Sequence, residues 1–319
     1  MNIIIILLAI LFLLPTNSFA GTGYYEDCYY ETGDRISLSV SGRVLKDKEK
    51  GIFTYSYSVK NNPQSEQDVW VFRTVLPEKS IVINAIAPAD WGGPGWSGKP
   101  TKYGHLRKSE RTPPYYISWT APRGRNMKPS EEASGFMFKT SYGLPGIVDY
   151  YAEGDAPLPK CPEGMAVNFI PGYDDLTPYG PGIVGRNIGP VALPATFVPL
   201  DFLNYIISLK HEAYNLGWIV QGKGDDKGKK EDEEKGIMKS LDKKLEKAKA
   251  ELAKGDTKEA VEKLKSFIHE VEGLYKEDKE EKHKKEEGHS HITSEAYGLL
   301  KYNAQYLLEQ LGGKIEKEH

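Results

Sequence analysis

Three histidines, His283, His289 and His291, stand close together beside Glu286 and Glu287 in "KHKKEEGHSH". Imidazole and carboxylate donors at this density suit capture of Zn or Cu. Their setting is a run of mixed charge that cannot order itself by burying surface, so a solvated loop is the competing reading. A second cluster is aromatic. Trp91, Trp96 and Tyr103 fall in "PADWGGPGWSGKPTKYGHLRK", residues 88–108, among Gly, Pro and Lys. Rings with hydrogen-bonding neighbours suit the apolar faces of sugars or a partner's pocket, although large apolar side chains also fold back to cap a core. The two cysteines, Cys28 and Cys161, form an even pair, which in an oxidising compartment reads as a disulfide. Two separate thiols are the alternative, because spacing does not bring the Cα atoms within bonding distance.

Catalytic patterns are incomplete. His211 and Glu212 begin H-E-x-x-H but Asn215 stands where the second histidine belongs, and His269 with Glu270 reaches Gly273 instead. Gly93, Gly95 and Gly98 spell G-x-G-x-x-G with no helix pattern after them, and "GWSGK" lacks the final glycine of a nucleophile elbow. A formal net charge of −3, with Lys-rich runs matched by Glu and Asp, argues against nucleic acid as a partner. The expectation is a non-catalytic binding or structural protein that contacts a polysaccharide or an envelope protein through the aromatic loop. A metal-capturing protein and an unrecognised hydrolase are the alternatives.

The elements that must position these residues begin with an apolar stretch, Ile3 to Leu14, then Pro15 and the small residues Ser18 and Ala20 before Gly21. This is the pattern of a cleaved secretory signal over residues 1–20, shorter than the roughly 20 apolar residues of a transmembrane helix. It predicts a secreted or periplasmic protein with no membrane span after cleavage, a retained anchor being the alternative. In "IFTYSYSVK", Phe53, Tyr55, Tyr57 and Val59 alternate with polar residues, and similar runs recur from "ISLSV" to "IVDYY". "DKEKG" reads as the turn of a first hairpin. Short strands without intervening helices predict an antiparallel sandwich of immunoglobulin-like type over residues 21–160. Residues 161–199, dense in Gly and Pro, read as an extended linker.

From residue 200 the period is helical. Phe202, Leu203, Ile206, Leu209, Ala213 and Leu216 line one stripe; Met238, Leu241, Leu245, Ala248 and Leu252 line the next. Asp256 and Glu259 form a capping box ahead of Leu264, Phe267, Ile268, Val271 and Leu274, and a last helix opens at Thr293 and runs through Leu299, Leu300, Asn303, Leu307 and Leu311. An all-α bundle over residues 200–319 would bury these stripes, with charged insertions near 221–235 and 276–291 left between helices.

The stretch "GIMKSLDKKLEKAKAELAKGDTKEAVEKLKSFIHEVEGLY", followed by "ITSEAYGLLKYNAQYLLEQL", resembles the carboxy-terminal helical module of FIMAH or FIVAR-like type on secreted and surface bacterial proteins. The matching features are Ser240, Leu241 and Leu245, the break at Gly255 and Asp256, and Leu264, Phe267 and Ile268, across roughly residues 236–311. His269 and Glu270 depart from the small residues usual there. The resemblance implies extracellular architecture rather than catalysis.

Overall fold

The structure, a computed structural model, describes residues 31–77, 82–89, 91, 101–102, 115–122, 124–156, 182–219, 227–275 and 291–314. The described strands are β1 (Leu38–Asp47), β2 (Ile52–Asn61), β3 (Val69–Val75), β4 (Val82–Ile86), β5 (Thr101–Lys102), β6 (Tyr115–Thr120), β7 (Glu132–Thr140), β8 (Leu144–Gly154) and β9 (Ile183–Val191). The helices that follow are α1 (Pro199–Asn215), α2 (Lys227–Ala253), α3 (Thr257–Leu274) and α4 (Ser294–Gln310). The strands form two antiparallel sheets, ordered β1-β2-β7-β4 and β5-β6-β3-β8-β9, so the fold is mixed, with its described helices in the carboxy-terminal half.

The first hairpin follows from side-chain alternation and its turn. Phe53, Tyr55, Tyr57 and Val59 are buried while their neighbours on β2 are not. Asp47 Oδ1 accepts from the backbone N–H groups of Glu49 and Lys50, each at 3.1 Å, which fixes the "DKEKG" turn. The inner faces of the two sheets meet ring against ring. Tyr57 of β2 and Phe136 of β7 lie 5.8 and 5.3 Å from Phe72 of β3, which stacks on Trp119 of β6 at 5.7 Å.

Residues 183–191 were expected within the Gly/Pro-rich linker; they form β9, paired along β8 from Leu144↔Val191 to Ala152↔Ile183. Its glycines and proline, which read as strand breakers, have positional reasons here. A Cβ on Gly185 would lie 2.3 Å from the Tyr150 ring, so only glycine lets that cross-strand ring lie over the backbone. Pro190 sits on an edge strand, where a missing N–H costs no ladder bond.

The helical half does not stand apart from the sheets, because buried residues of both belong to one apolar cluster. α4 is buried on nearly all sides, between α1, α3 and the edge of β1. Ser294 Oγ donates to Gly42 O at 2.8 Å, the Glu295 carboxylate accepts from Gly42 N, and Tyr302 Oη accepts from Lys46 N at 3.2 Å. These bonds occupy backbone groups that an open edge strand would leave exposed. The centres of the α1, α2 and α3 stripes are buried as their spacing predicts, while Met238, Leu252 and Leu274 at the stripe ends are only partly buried and Leu216, at the C-cap of α1, is exposed. α2 begins at Lys227, inside the charged insertion expected near 221–235, since Lys and Glu are good helix formers and extend the helix. Its end satisfies two carbonyls: Gly255 N donates to Leu252 O at 3.0 Å and Asp256 N to Glu251 O at 2.9 Å. Asp256 then caps α3, accepting from Glu259 N at 3.0 Å.

Candidate functional site

Trp91 is 4 % exposed, with its ring set edge-on to Phe136 at 4.8 Å and its backbone N–H donating to Pro88 O. It thus works as a core side chain. It also forms one wall of a cleft of about 460 Å³ shared with Arg125, Met127, Glu131, Glu132 and Ser134. The carboxylates there already have partners: Glu131 accepts from Lys128 N at 2.8 Å and Glu132 from Ser58 Oγ at 2.9 Å. Trp96, Tyr103, Cys28, Cys161, His283 and His289 lie outside the described residues. His291, between α3 and α4, is half-buried, donates its backbone N–H to Leu274 O at 3.1 Å and has a ring Nδ1 without a hydrogen-bond partner. Among the described residues no three His, Cys, Asp or Glu side chains group closely enough to hold a metal ion. His211 is exposed, 3.9 Å from Asp242. No described helix is long and apolar enough to cross a membrane.

A second concavity, of about 320 Å³, opens where β9 hands the chain to α1. Leu144 and Val191, paired across the β8–β9 ladder, form one side. The connection from Ala192 to Val198 forms the rim, and Leu193 and Val198 are 43 % and 42 % exposed there. α1 contributes Asp201, Phe202 and Tyr205, and α4 contributes Asn303. Pro199 near the start of α1 favours helix initiation at this point, and Asp201 in its first turn suits the positive end of the helix. Phe202 is buried, with Tyr205, Tyr306 and Phe197 at ring-centroid distances of 5.7, 5.2 and 5.7 Å.

The polar groups of this groove are few. Asn303 is fully buried, and its Nδ2 donates to both Pro145 O and Leu299 O at 2.7 Å. Two carbonyl acceptors fix which amide atom is nitrogen, and Oδ1 is left without a partner. Burial, and secondarily the Glu212 charge, raise the Tyr205 hydroxyl above its ordinary pKa, so it stays a neutral donor and acceptor at neutral pH. Asp201 is the sole formal charge among the described lining residues.

In the sequence the aromatic loop stands out and the groove does not, because its walls come from three separate stretches of chain. One signal was legible. Asn303 falls among leucines in the apolar stripe of α4, and a polar residue buried there demands partners. The chain matches no protein-family model, and it matches no curated protein.

Proposed function

We propose that this is an exported, non-catalytic binding or structural protein of the bacterial envelope or extracellular space. Its two sheets are read as an immunoglobulin-like sandwich: β1-β2-β7-β4 and β3-β8-β9 follow the A-B-E-D and C-F-G strand orders of that fold. The helices are read as a FIMAH- or FIVAR-like bundle on the side of β1, and Cys28 and Cys161 as a disulfide. The observation that carries a binding role is the groove between the β9–α1 connection and α4. It is mostly apolar, has a few fixed polar groups, and its 320 Å³ falls in the range of small-ligand sites.

Thermal unfolding of the mature protein against soluble glycans, peptidoglycan fragments and small amphiphiles tests the reading. A bound ligand at about ten times its Kd should stabilise the chain by ~1.4 kcal/mol. Ala192→Trp, at an exposed rim position, should fill the groove and remove that gain without lowering the melting temperature of the free protein. The ligand should be recovered unchanged, and its chemical conversion would overturn the non-catalytic reading. Stabilisation that survives Ala192→Trp would move the contact to another surface, with the segment bearing Trp96 and Tyr103 next in line.

A further inference from the structure

We propose that the groove binds an apolar chain ending in a cationic hydrogen-bond donor, of the alkylammonium class. This rests on the reading of the groove as the binding site and specifies its ligand.

Leu144, Val191, Leu193, Pro194, Val198 and Phe202 offer an almost continuous apolar lining, which favours a hydrocarbon body over a sugar ring rich in hydroxyls. At the rim Asp201 is exposed and no cation stands among the described lining residues. The amino end of α1 carries roughly half a positive charge. It only partly offsets the full negative charge of Asp201, so the rim favours a cation. The Asn303 acceptor argues for a donor on the ligand. Leaving a buried carbonyl oxygen without a partner is unfavourable, and here both amide hydrogens are already committed, so no rotation of the side chain relieves it. A ligand N–H entering between Asp201 and Asn303 answers both features; a carboxylate answers neither.

The test is titration calorimetry of the full mature chain with four probes that share a hexyl body: n-hexylammonium, hexan-1-ol, hexanoate and hexyltrimethylammonium. At low ionic strength n-hexylammonium should bind about fivefold or more tighter than hexanoate, an advantage that shrinks in 0.5 M salt, where the Debye length falls to about 4 Å from roughly 30 Å in 0.01 M buffer. Asp201→Asn, at an exposed position, should reduce the ratio to less than about twofold and leave hexan-1-ol unchanged. Hexyltrimethylammonium, which has the charge but no N–H, should bind more weakly than n-hexylammonium, and equal binding would overturn the hydrogen-bond part of the inference. Ala192→Trp should abolish binding of all four. If hexan-1-ol binds and is blocked by Ala192→Trp while hexanoate matches n-hexylammonium, the ligand class is wrong and the groove reading stands. If none of the four binds the wild-type chain, the inference falls; if in addition no glycan or peptidoglycan fragment is blocked by Ala192→Trp, the groove reading falls with it.

Discussion

Where the two sheets meet, Tyr57, Phe72, Trp119 and Phe136 lie ring against ring, and among the described residues no charged side chain is buried there. Where the helices meet, charge is part of the packing. Lys210 of α1 is fully buried against Asp242 of α2, Lys244 of α2 pairs with Glu270 of α3, and Lys301 of α4 lies 2.6 Å from Glu272 of α3. The buried charged residues among those described, Lys210, Glu295 and Lys301, all belong to helices. The difference follows from composition. β2 and β3 present large rings on one face, whereas α2 offers only Leu241, Leu245 and Ala248 as fully buried apolar contacts, with Ile237, Met238 and Leu252 partly buried beside them, and adds ion pairs through Asp242 and Lys244. Ring burial gives the sheets large, weakly directional stability. Buried ion pairs give the helices little net energy but make any other register leave a charge without its partner.

The largest effect should come from the sheet side. Phe136→Ala removes a fully buried ring that touches Trp91, Phe72 and Trp119, and should cost ~3–5 kcal/mol in denaturant unfolding. Trp91 should become more solvent-exposed in the same mutant, visible as a red shift of its fluorescence. A cost below 1 kcal/mol would mean that the sheets are not held by this cluster.

On the helical side, Lys301→Met keeps the stem but leaves Glu272 without its cation, and should cost ~2 kcal/mol, less than a fully buried pair because Glu272 is partly exposed. A second change, Glu272→Gln, should return part of that loss, and a double-mutant cycle measures the coupling. The pH dependence sharpens the point. Burial opposes the Lys301 charge, yet hydrogen bonds to Glu272 and Tyr297 outweigh it and raise the pKa. A raised pKa means this stabilisation is complete below the unfolded value near 10.4 and is lost as pH rises beyond it. Burial likewise raises Tyr55 and Tyr57, so the wild-type protein should lose stability above about pH 10 on both sides of the molecule. Lys301→Met should show a shallower alkaline slope than wild type. An identical slope would assign alkaline loss to the tyrosines alone.

The junction between the two regions is tested by Gly298→Ala. A Cβ at Gly298 would stand 2.2 Å from Val44 Cγ1 of β1, so α4 would have to back away from the sheet edge. The expected cost is ~1–3 kcal/mol. Hydrogen exchange at Gly42 and Lys46, whose N–H groups bond to Glu295 and Tyr302, should accelerate more than exchange within α3. Uniform acceleration would mean that the helices and sheets unfold only together.

How much of this was legible in the sequence depended on whether one side of an element meets water. β2 has a wet face, so its alternation was plain, and the stripes of α1 and α3 were plain for the same reason. β9 was misread because its glycines make room for Tyr150 and Val148 on a neighbouring strand, a long-range cause that local reading takes for a break. In α4 the helix was legible but the extent of its burial was not, because Glu295 looks like a surface residue until its partner Gly42 arrives from the sheet. The groove shares that origin: Leu144, Asp201 and Asn303 are far apart in the chain, and only Asn303, polar within an apolar stripe, stands out in its own segment.

The smallest effect should come from Asp256, and it bears on whether the helical side depends on local or tertiary contacts. Its carboxylate accepts from Glu259 N at 3.0 Å, while the Glu259 carboxylate turns away to pair with Lys263, so the box predicted from "DTKE" is only half closed. Asp256 N instead completes the end of α2 by donating to Glu251 O. Asp256→Ala keeps that backbone bond and loses the cap alone, and should cost ~1 kcal/mol. Asp256→Asn, which retains an acceptor oxygen, should cost only a few tenths of that amount more than wild type. Equal losses in both variants would point to the charge at the start of α3 rather than the cap as the stabilising element. A loss approaching that of Phe136→Ala would show that α3 depends on its first turn far more than on Leu264 and Phe267, and would reverse the contrast between a helical side held by tertiary pairs and a sheet side held by rings.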